Sequence, residues 1–292
     1  MTMDPESKKH PLKDFYKDIY RRYDLVNRIF TFGRDKYWRT KAVKECILNN
    51  PQSIVDICTG TGDLALEIAE KTGNGIRITG YDFSAEMLEV AREKAEDSDN
   101  SSVSPGGKQG SSARGLKNAV SPDENRESAD AVKKDKHNCS SKVGSLEFIE
   151  GDVAEMPFES GTFDSAGISF GIRNLVYENS NAGKHLTEIH RILRDYGRFV
   201  VLESSRPNNA IWRVFNGIYL RFILPYLGGI ISGNFKAYRY LAQSSKNYYS
   251  KEEMGKILEE AGFRIIRSSS LFMGSVMLLV AEKQPISPGN QN

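Results

Sequence analysis

The sequence predicts an α/β fold built on a mainly parallel sheet, and three observations carry that expectation. Apolar runs of strand length alternate with helical stretches along most of the 292 residues, as successive βα units do. The stretch from Ser53 to Asp82 holds an apolar run (Ile54, Val55, Ile57), a turn Gly60-Thr61-Gly62, a helical stretch and a second apolar run. That order is a strand, loop, helix, strand unit. Two final runs, Phe263–Arg267 and Val276–Ala281, suggest a hairpin that closes the sheet.

Taken in order, residues 12–23 set Phe15, Tyr16, Ile19, Tyr20 and Tyr23 at helical spacing; core packing is the commoner use of such an aromatic stripe. The first strand is expected over Ile54–Cys58, a helix over Asp63–Lys71 and the second strand over Ile76–Asp82. Ser84 is a good N-cap for a helix over Ala85–Lys94. From Glu96 to Gly144 the chain is rich in Ser, Gly, Asn, Asp and Lys, with no aromatic between Phe83 and Phe148. Such a segment cannot bury enough apolar surface to offset its ordering entropy, so 96–144 is expected to be a disordered insertion. Strands resume at Leu146–Glu150 and Phe163–Ser169, a helix spans about Asn181–Arg194, and a further strand covers Arg198–Glu203. An aromatic, helix-prone lid is expected over 206–246, then a helix over Lys251–Ala261 ending at Gly262. The resulting division is a helical cap over 1–50, a main domain over 51–282 and a flexible tail over 283–292.

Composition narrows the function classes. The chain is 39% hydrophobic and carries a net charge of +2, enough for one large core and too balanced to argue for nucleic acid. The charge is uneven: residues 1–44 hold twelve Lys and Arg against six Asp and Glu, an excess that suits either an anionic membrane surface or plain solvation. Three widely spaced cysteines, Cys46, Cys58 and Cys139, fit a reducing cytoplasm and not a disulfide framework. No metal site is expected, because His185 and His190 stand five apart, a poor helical spacing for shared ligation. No secretory signal is expected at the polar N-terminus. The longest uncharged apolar stretch, Phe222–Phe235, is broken by Pro225, Gly228 and Gly229 and is too short to span a bilayer.

The chemistry is legible at the carboxyl ends of the expected strands. Glycines at 60 and 62 let backbone amides approach a ligand, and Asp82 stands where a carboxylate can accept both hydroxyls of an adenosine ribose. Gly60-x-Gly62-x-x-Ala65 satisfies the dinucleotide fingerprint, so NAD remains in play on this segment alone. Asp152, at the end of the third strand, is placed to meet adenine's exocyclic amine, and the Val153 amide a ring nitrogen.

This layout, with Gly151-Asp152-Val153 and the terminal strand pair, resembles the class I S-adenosylmethionine-dependent methyltransferases. The resemblance implies a Rossmann-like fold: a seven-stranded, mainly parallel sheet with an antiparallel last strand and helices on both faces. It becomes closer at Tyr23-Asp24-Leu25-Val26-Asn27-Arg28-Ile29-Phe30-Thr31, at Ser169-Phe170-Gly171-Ile172-Arg173-Asn174-Leu175, and at Arg191-Ile192-Leu193-Arg194 running to Leu202-Glu203-Ser204-Ser205. Ala237-Tyr238-Arg239-Tyr240-Leu241 with Ser244 adds to it. These segments are similar to those of the demethylmenaquinone and polyprenyl-benzoquinol C-methyltransferases, the UbiE/MenG family, and the likeness runs from Tyr16 to Ala281 outside the insertion. The chain departs from the family pattern at Val26, Asp35, Asp195-Tyr196, Gln243 and in its closing segment.

The resemblance implies methyl transfer from S-adenosylmethionine to a ring carbon of a prenylated quinol, demethylmenaquinol or a benzoquinol. It implies cofactor contacts from Gly60, Thr61, Gly62, Asp82, Asp152, Val153 and Ser169, with Tyr23 closing over the pocket. Arg173 and Asn174 are the expected catalytic pair, Arg173 stabilising a developing phenolate; a structural alternative is that Arg173 pairs with a carboxylate to fix its loop. Asp56 either orients the glycine turn or simply ends its strand, and Asp63 either caps its helix or touches ligand. Aromatics from Trp212 to Phe235 are the natural wall of a tunnel for the prenyl tail, and Arg213 and Arg221 would flank an interfacial helix there; the alternative is an ordinary lid helix packed on the core. The expected setting is cytoplasmic, peripheral on the inner face of the cell membrane. A homodimer, a complex of quinone-pathway proteins and a non-catalytic scaffold stay open.

Overall fold

The computed structural model describes residues 28, 31, 33–101, 145–223, 225–226, 229–230, 235 and 248–285. Its centre is a seven-stranded sheet in the order β3-β2-β1-β4-β5-β7-β6. The strands are β1 Ser53–Ile57, β2 Arg77–Asp82, β3 Leu146–Glu150, β4 Phe163–Ser169, β5 Leu193–Ser204, β6 Phe263–Leu271 and β7 Val276–Lys283. The first five pair in parallel, while β7 runs antiparallel to both β5 and β6. The helices are α1 Arg34–Cys46, α2 Asp63–Thr72, α3 Ala85–Ser101, α4 Ile172–Val176, α5 Ala182–Ile192, α6 Ala210–Ile218 and α7 Lys251–Glu260.

Every residue of β1 is buried, because β2 and β4 flank it in the sheet and helices cover both of its faces. Alternate side chains therefore serve two separate cores. Val55, Ile57, Ile168, Phe199, Val201 and Leu279 pack on one face with Ile189 of α5 and Leu258 of α7. Ile54, Ile78, Val200, Leu202 and Leu278 pack on the other with Val43 of α1 and Ile68 of α2. Each such side chain contributes about 1.5–3 kcal/mol on burial, and the period of two in the strands decides which core receives it.

The chain runs outward from β1 through β2 to β3, then crosses back to β4 on the other side. That reversal opens a crevice at the carboxyl ends of β1 and β4, where open α/β sheets receive their ligands. Ser84 caps α3 as expected, its Oγ accepting from Met87 N at 3.3 Å. Ser250 and Glu253 form a reciprocal capping box at the start of α7.

Several boundaries differ from the sequence expectation. Helix α3 runs past Lys94 to Ser101, since Glu, Ala, Asp and Ser continue a helix already nucleated and need no apolar face of their own. The remainder of 96–144 lies outside the described residues. Strand β5 begins at Leu193 rather than Arg198, carried across an irregularity in its pairing with β4 at Asp195-Tyr196-Gly197, where Tyr196 has φ 61.

Candidate active site

The turn after β1 is held by two carboxylates. Asp56 is fully buried; its Oδ2 accepts the Thr59 hydroxyl at 2.6 Å and the Ala65 amide at 3.1 Å. Burial pushes its carboxyl up to about 7, against the pull of those two hydrogen bonds. Its Oδ1 has no hydrogen-bond partner. The orienting role expected of Asp56 is thus matched by its geometry. Asp82 closes the turn from β2: its Oδ2 accepts Gly60 N at 2.9 Å and its Oδ1 accepts Ser84 N at 3.0 Å. Burial raises this carboxyl too, while the amides of Ser84 and Gly60 hold it down.

Gly62 takes φ 81 in the turn, and a Cβ there would lie 2.9 Å from Ala91; the left-handed bend and the close helix both require glycine. Thr61 is buried, and its Oγ1 accepts from Lys94 Nζ at 3.0 Å. Lys94 also reaches Asp63 at 2.8 Å, and Asp63 pairs with Arg39 of α1, which binds Asp35 at 2.9 Å. Burial opposes ionisation of Asp63, but Arg39 and Lys94 hold its carboxyl below the usual range. Asp63 is therefore the hub of a polar chain from α1 to the glycine turn, and Gly62 occupies the N-cap position. Lys94 gave no sequence signal; it meets Thr61 only because α3 returns alongside the turn.

The third strand leads directly into the site. Gly151 N donates to the Asp82 carbonyl at 2.9 Å, which sets Asp152 beside the second-strand carboxylate. Asp152 Oδ1 accepts Ala154 N at 3.0 Å, and its carbonyl accepts the Tyr81 hydroxyl at 3.3 Å. Val153 is buried in the core, so its side chain serves packing.

Beyond β4, Ser169 is half-buried and Phe170 turns through φ 56 with its amide on the Leu202 carbonyl at 2.8 Å. A Cβ on Gly171 would stand 2.5 Å from Cys58 Cβ, so this turn lies against the end of β1. Helix α4 follows at once and carries Arg173 and Asn174. Arg173 is buried, and its backbone amide donates to Glu203 Oε2 at 3.3 Å. Glu203 is fully buried, accepts Ser204 N at 2.7 Å, and has its carboxyl raised by burial against the opposing charge of Arg173. The carboxylate neighbour that a structural role for Arg173 requires is therefore present. Asn174 accepts at its carbonyl from Asn179 Nδ2 at 2.9 Å. Tyr23 lies outside the described residues, as do most of the Tyr23–Thr31 segment and the Ala237–Ser244 segment. Among the described residues, no group of three or more His, Cys, Asp or Glu is arranged to hold a metal ion.

A glycine turn with an amide-bound acidic strand end, a second carboxylate after β3 and an antiparallel β7 define an S-adenosylmethionine-dependent methyltransferase of class I. The Asp82 carboxylate at the glycine turn and the partly exposed Asp152 carboxylate after β3 form an acceptor set that fits the hydroxyls and amine of an adenosyl group. A solved S-adenosylmethionine-dependent methyltransferase from Thermotoga maritima shares the fold, with a TM-score of 0.53 and 16% identity over 92% of this chain and all of that one. The chain belongs to the ubiE/COQ5 methyltransferase family, whose sequence model matches residues 2–106 and 115–283. The demethylmenaquinone methyltransferase of Thermus thermophilus is 35% identical over 92% of this chain and 99% of its own length. The ubiquinone/menaquinone biosynthesis C-methyltransferase UbiE of Geotalea uraniireducens is 33% identical, covering 94% of this chain and 97% of its own. The cofactor is S-adenosylmethionine, and the NAD reading of the glycine fingerprint falls with the family assignment.

Proposed function

We propose that the chain methylates a ring carbon of demethylmenaquinol, forming menaquinol. The observation that carries this reading is the Ser169–Leu175 turn, packed against the end of β1 by Gly171 and Cys58 and delivering Arg173 to the carboxyl end of β4. The relatives named demethylmenaquinone methyltransferase support the naphthoquinol acceptor. The relative named for both ubiquinone and menaquinone biosynthesis supports a 2-methoxy-6-polyprenyl-1,4-benzoquinol as the second reading.

The bound sulfonium donor supplies an electrophilic methyl group without a metal. The protein's task is to align donor and acceptor and to raise the nucleophilicity of the acceptor carbon. In this reading Asp82 receives the ribose hydroxyls, Asp152 the adenine amine and the Val153 amide a ring nitrogen. Gly60, Thr61, Gly62 and Ser169 line the methionine end, and Tyr23 closes over it. Arg173 stabilises the phenolate that develops as a ring hydroxyl loses its proton. A guanidinium is too basic to take that proton itself, so it holds a water that does, with Asn174 beside it.

The prenyl tail of either quinol resides in a bilayer, and α6 offers a surface for it. Ile211, Val214, Phe215 and Ile218 are exposed on that helix, followed by Phe222, Ile223 and Tyr226. These side chains face solvent and do not wall a tunnel among the described residues. Trp212 anchors the helix instead, its Nε1 donating to Ser275 Oγ at 2.9 Å. We read the exposed face as a peripheral contact with the membrane that holds the quinol. No helix among the described residues is long and apolar enough to cross a membrane.

The reading is tested by supplying isotopically labelled S-adenosylmethionine with each demethylated quinol and determining product mass and methyl position. Label at the ring carbon of demethylmenaquinol is the expected result. Label on oxygen, or on neither quinol, would sink the proposal.

A further inference from the structure

His185 has no part in the chemistry above, yet it joins the two halves of the site. It lies on α5, is 4% exposed, and presents its two ring nitrogens to different partners. Nδ1 sits 2.8 Å from the carbonyl of Leu175 in α4. A carbonyl only accepts, so Nδ1 carries a proton. Nε2 faces Asp152 Oδ1 at 3.8 Å, about 1 Å beyond hydrogen-bond length. The ring therefore stands between α4 and the Asp152 carboxylate, bonded to the first and packed beside the second.

The two contacts bear on different ends of the site. Leu175 follows Arg173 and Asn174 directly, and α4 is only five residues long, so its carbonyls have few partners within the helix. The imidazole therefore fixes the rear of the segment whose front is fixed by the Arg173 amide on Glu203. Asp152 is held by Ala154 N on the same oxygen that faces His185. A ring with few rotatable bonds, packed in the core, transmits displacement of one partner to the other better than a flexible side chain would.

We propose that His185 is a positioning residue that couples Asp152, at the adenine end, to the α4 segment that carries Arg173 and Asn174. The inference rests on the assignment of Asp152 to adenine and of Arg173 to methyl transfer. The side chains of Asn and Gln separate the two contacts. His185→Asn keeps an amide donor at the Nδ1 position for Leu175 and loses the reach to Asp152. His185→Gln keeps a side chain long enough to reach Asp152 and loses the bond to Leu175.

The experiment uses the full chain, with donor affinity measured by titration calorimetry with S-adenosylmethionine alone and kcat measured with the accepted quinol. His185→Asn is expected to weaken donor binding about threefold, because Asp152 loses the ring packed beside it, and to lower kcat less. His185→Gln is expected to lower kcat by a similar factor with donor affinity nearly retained. Combined with Asp152→Asn, the His185→Asn variant should add less than about twofold to the loss in donor affinity, because both changes remove one contact. A fold-supporting role alone would lower Tm and move both readouts in parallel in both variants, and that result would overturn the proposal. So would additivity in the double variant. If Asp152→Asn alone binds donor as tightly as the unaltered chain, the adenine assignment falls and the coupling with it. If Asp152→Asn weakens binding and His185→Asn does not, the coupling alone falls.

Discussion

At the scale of single residues, Asp56 is the group on which the site's geometry and the protein's stability meet. Its carboxyl is pushed up to about 7 by burial, from an ordinary value of 3.8. A carboxyl raised in the folded state resists losing its proton there, so folding is penalised once the unfolded chain ionises. The penalty is absent below about pH 4, grows as pH rises, and is complete above about pH 7. Asp56→Asn retains an oxygen for Thr59 and Ala65 but cannot ionise. Its unfolding free energy should therefore gain on that of the unaltered chain between about pH 4 and 7 and hold a constant offset from it beyond, as measured by urea titration. A constant difference across that range would show that folding does not raise the Asp56 carboxyl. Arg173 gives a complementary prediction. Replacing it with alanine removes the positive charge that opposes the burial of Glu203, so some stability is lost. If Arg173 acts on the acceptor, turnover of folded Arg173→Ala should fall at least about tenfold, while donor affinity by calorimetry stays within about twofold. Equal loss of both would leave Arg173 a structural residue only.

At the scale of elements, the fold was legible wherever a signal was local. Strands β1, β2, β3 and β4 match their apolar runs to within a residue: the inner strands are buried and must be apolar on both faces, while the edge strand β3 keeps Leu146 and Phe148 partly buried and Glu147 exposed. The terminal hairpin and the capping serine of α3 were equally local. Helix α4 was not foreseen, since five residues give no period to read. Lys94 and His185 were missed for another reason: their partners lie 33 and 10 residues away in sequence for the hydrogen bonds to Thr61 and Leu175, and only the assembled sheet brings them together. Asp195-Tyr196 was recognised as a departure but not as an element. It falls in β5, where Tyr196 adopts φ 61 while 62% exposed. A left-handed conformation costs a residue with a Cβ about 1–2 kcal/mol, and glycine returns about 0.5–1 kcal/mol of that through its freer unfolded chain. Little packing is lost at so exposed a position. Tyr196→Gly should therefore stabilise the protein by about 0.5–1 kcal/mol in urea titration, with activity unchanged; destabilisation would mean that the tyrosine ring packs usefully at the strand's start.

At the scale of the whole molecule, the proposed function asks how an enzyme with no spanning helix among its described residues would reach a quinol whose tail lies in a membrane. Two forces are available, and their sizes separate them. The net charge is only +2, and charge contacts with an anionic surface fade as the Debye length falls from ~10 Å at about 0.1 M salt to ~3 Å at about 1 M. The apolar face of α6 and the turn after it is insensitive to salt. Along it Ile211, Val214, Phe215, Ile218 and Phe222 recur at helical spacing, between 47% and 71% exposed. Full burial of a side chain of this size is worth about 1.5–3 kcal/mol, so a few of them inserted together outweigh a weak net charge. Co-sedimentation with vesicles of neutral and anionic lipid should then persist across that range of salt. Phe222→Asp with Ile223→Asp should release the protein by about tenfold or more. Both side chains are exposed, so the fold survives the change, and donor binding in solution reports that it has. Salt-released binding, with the double variant still bound, would move the membrane contact to the basic N-terminal region and away from α6.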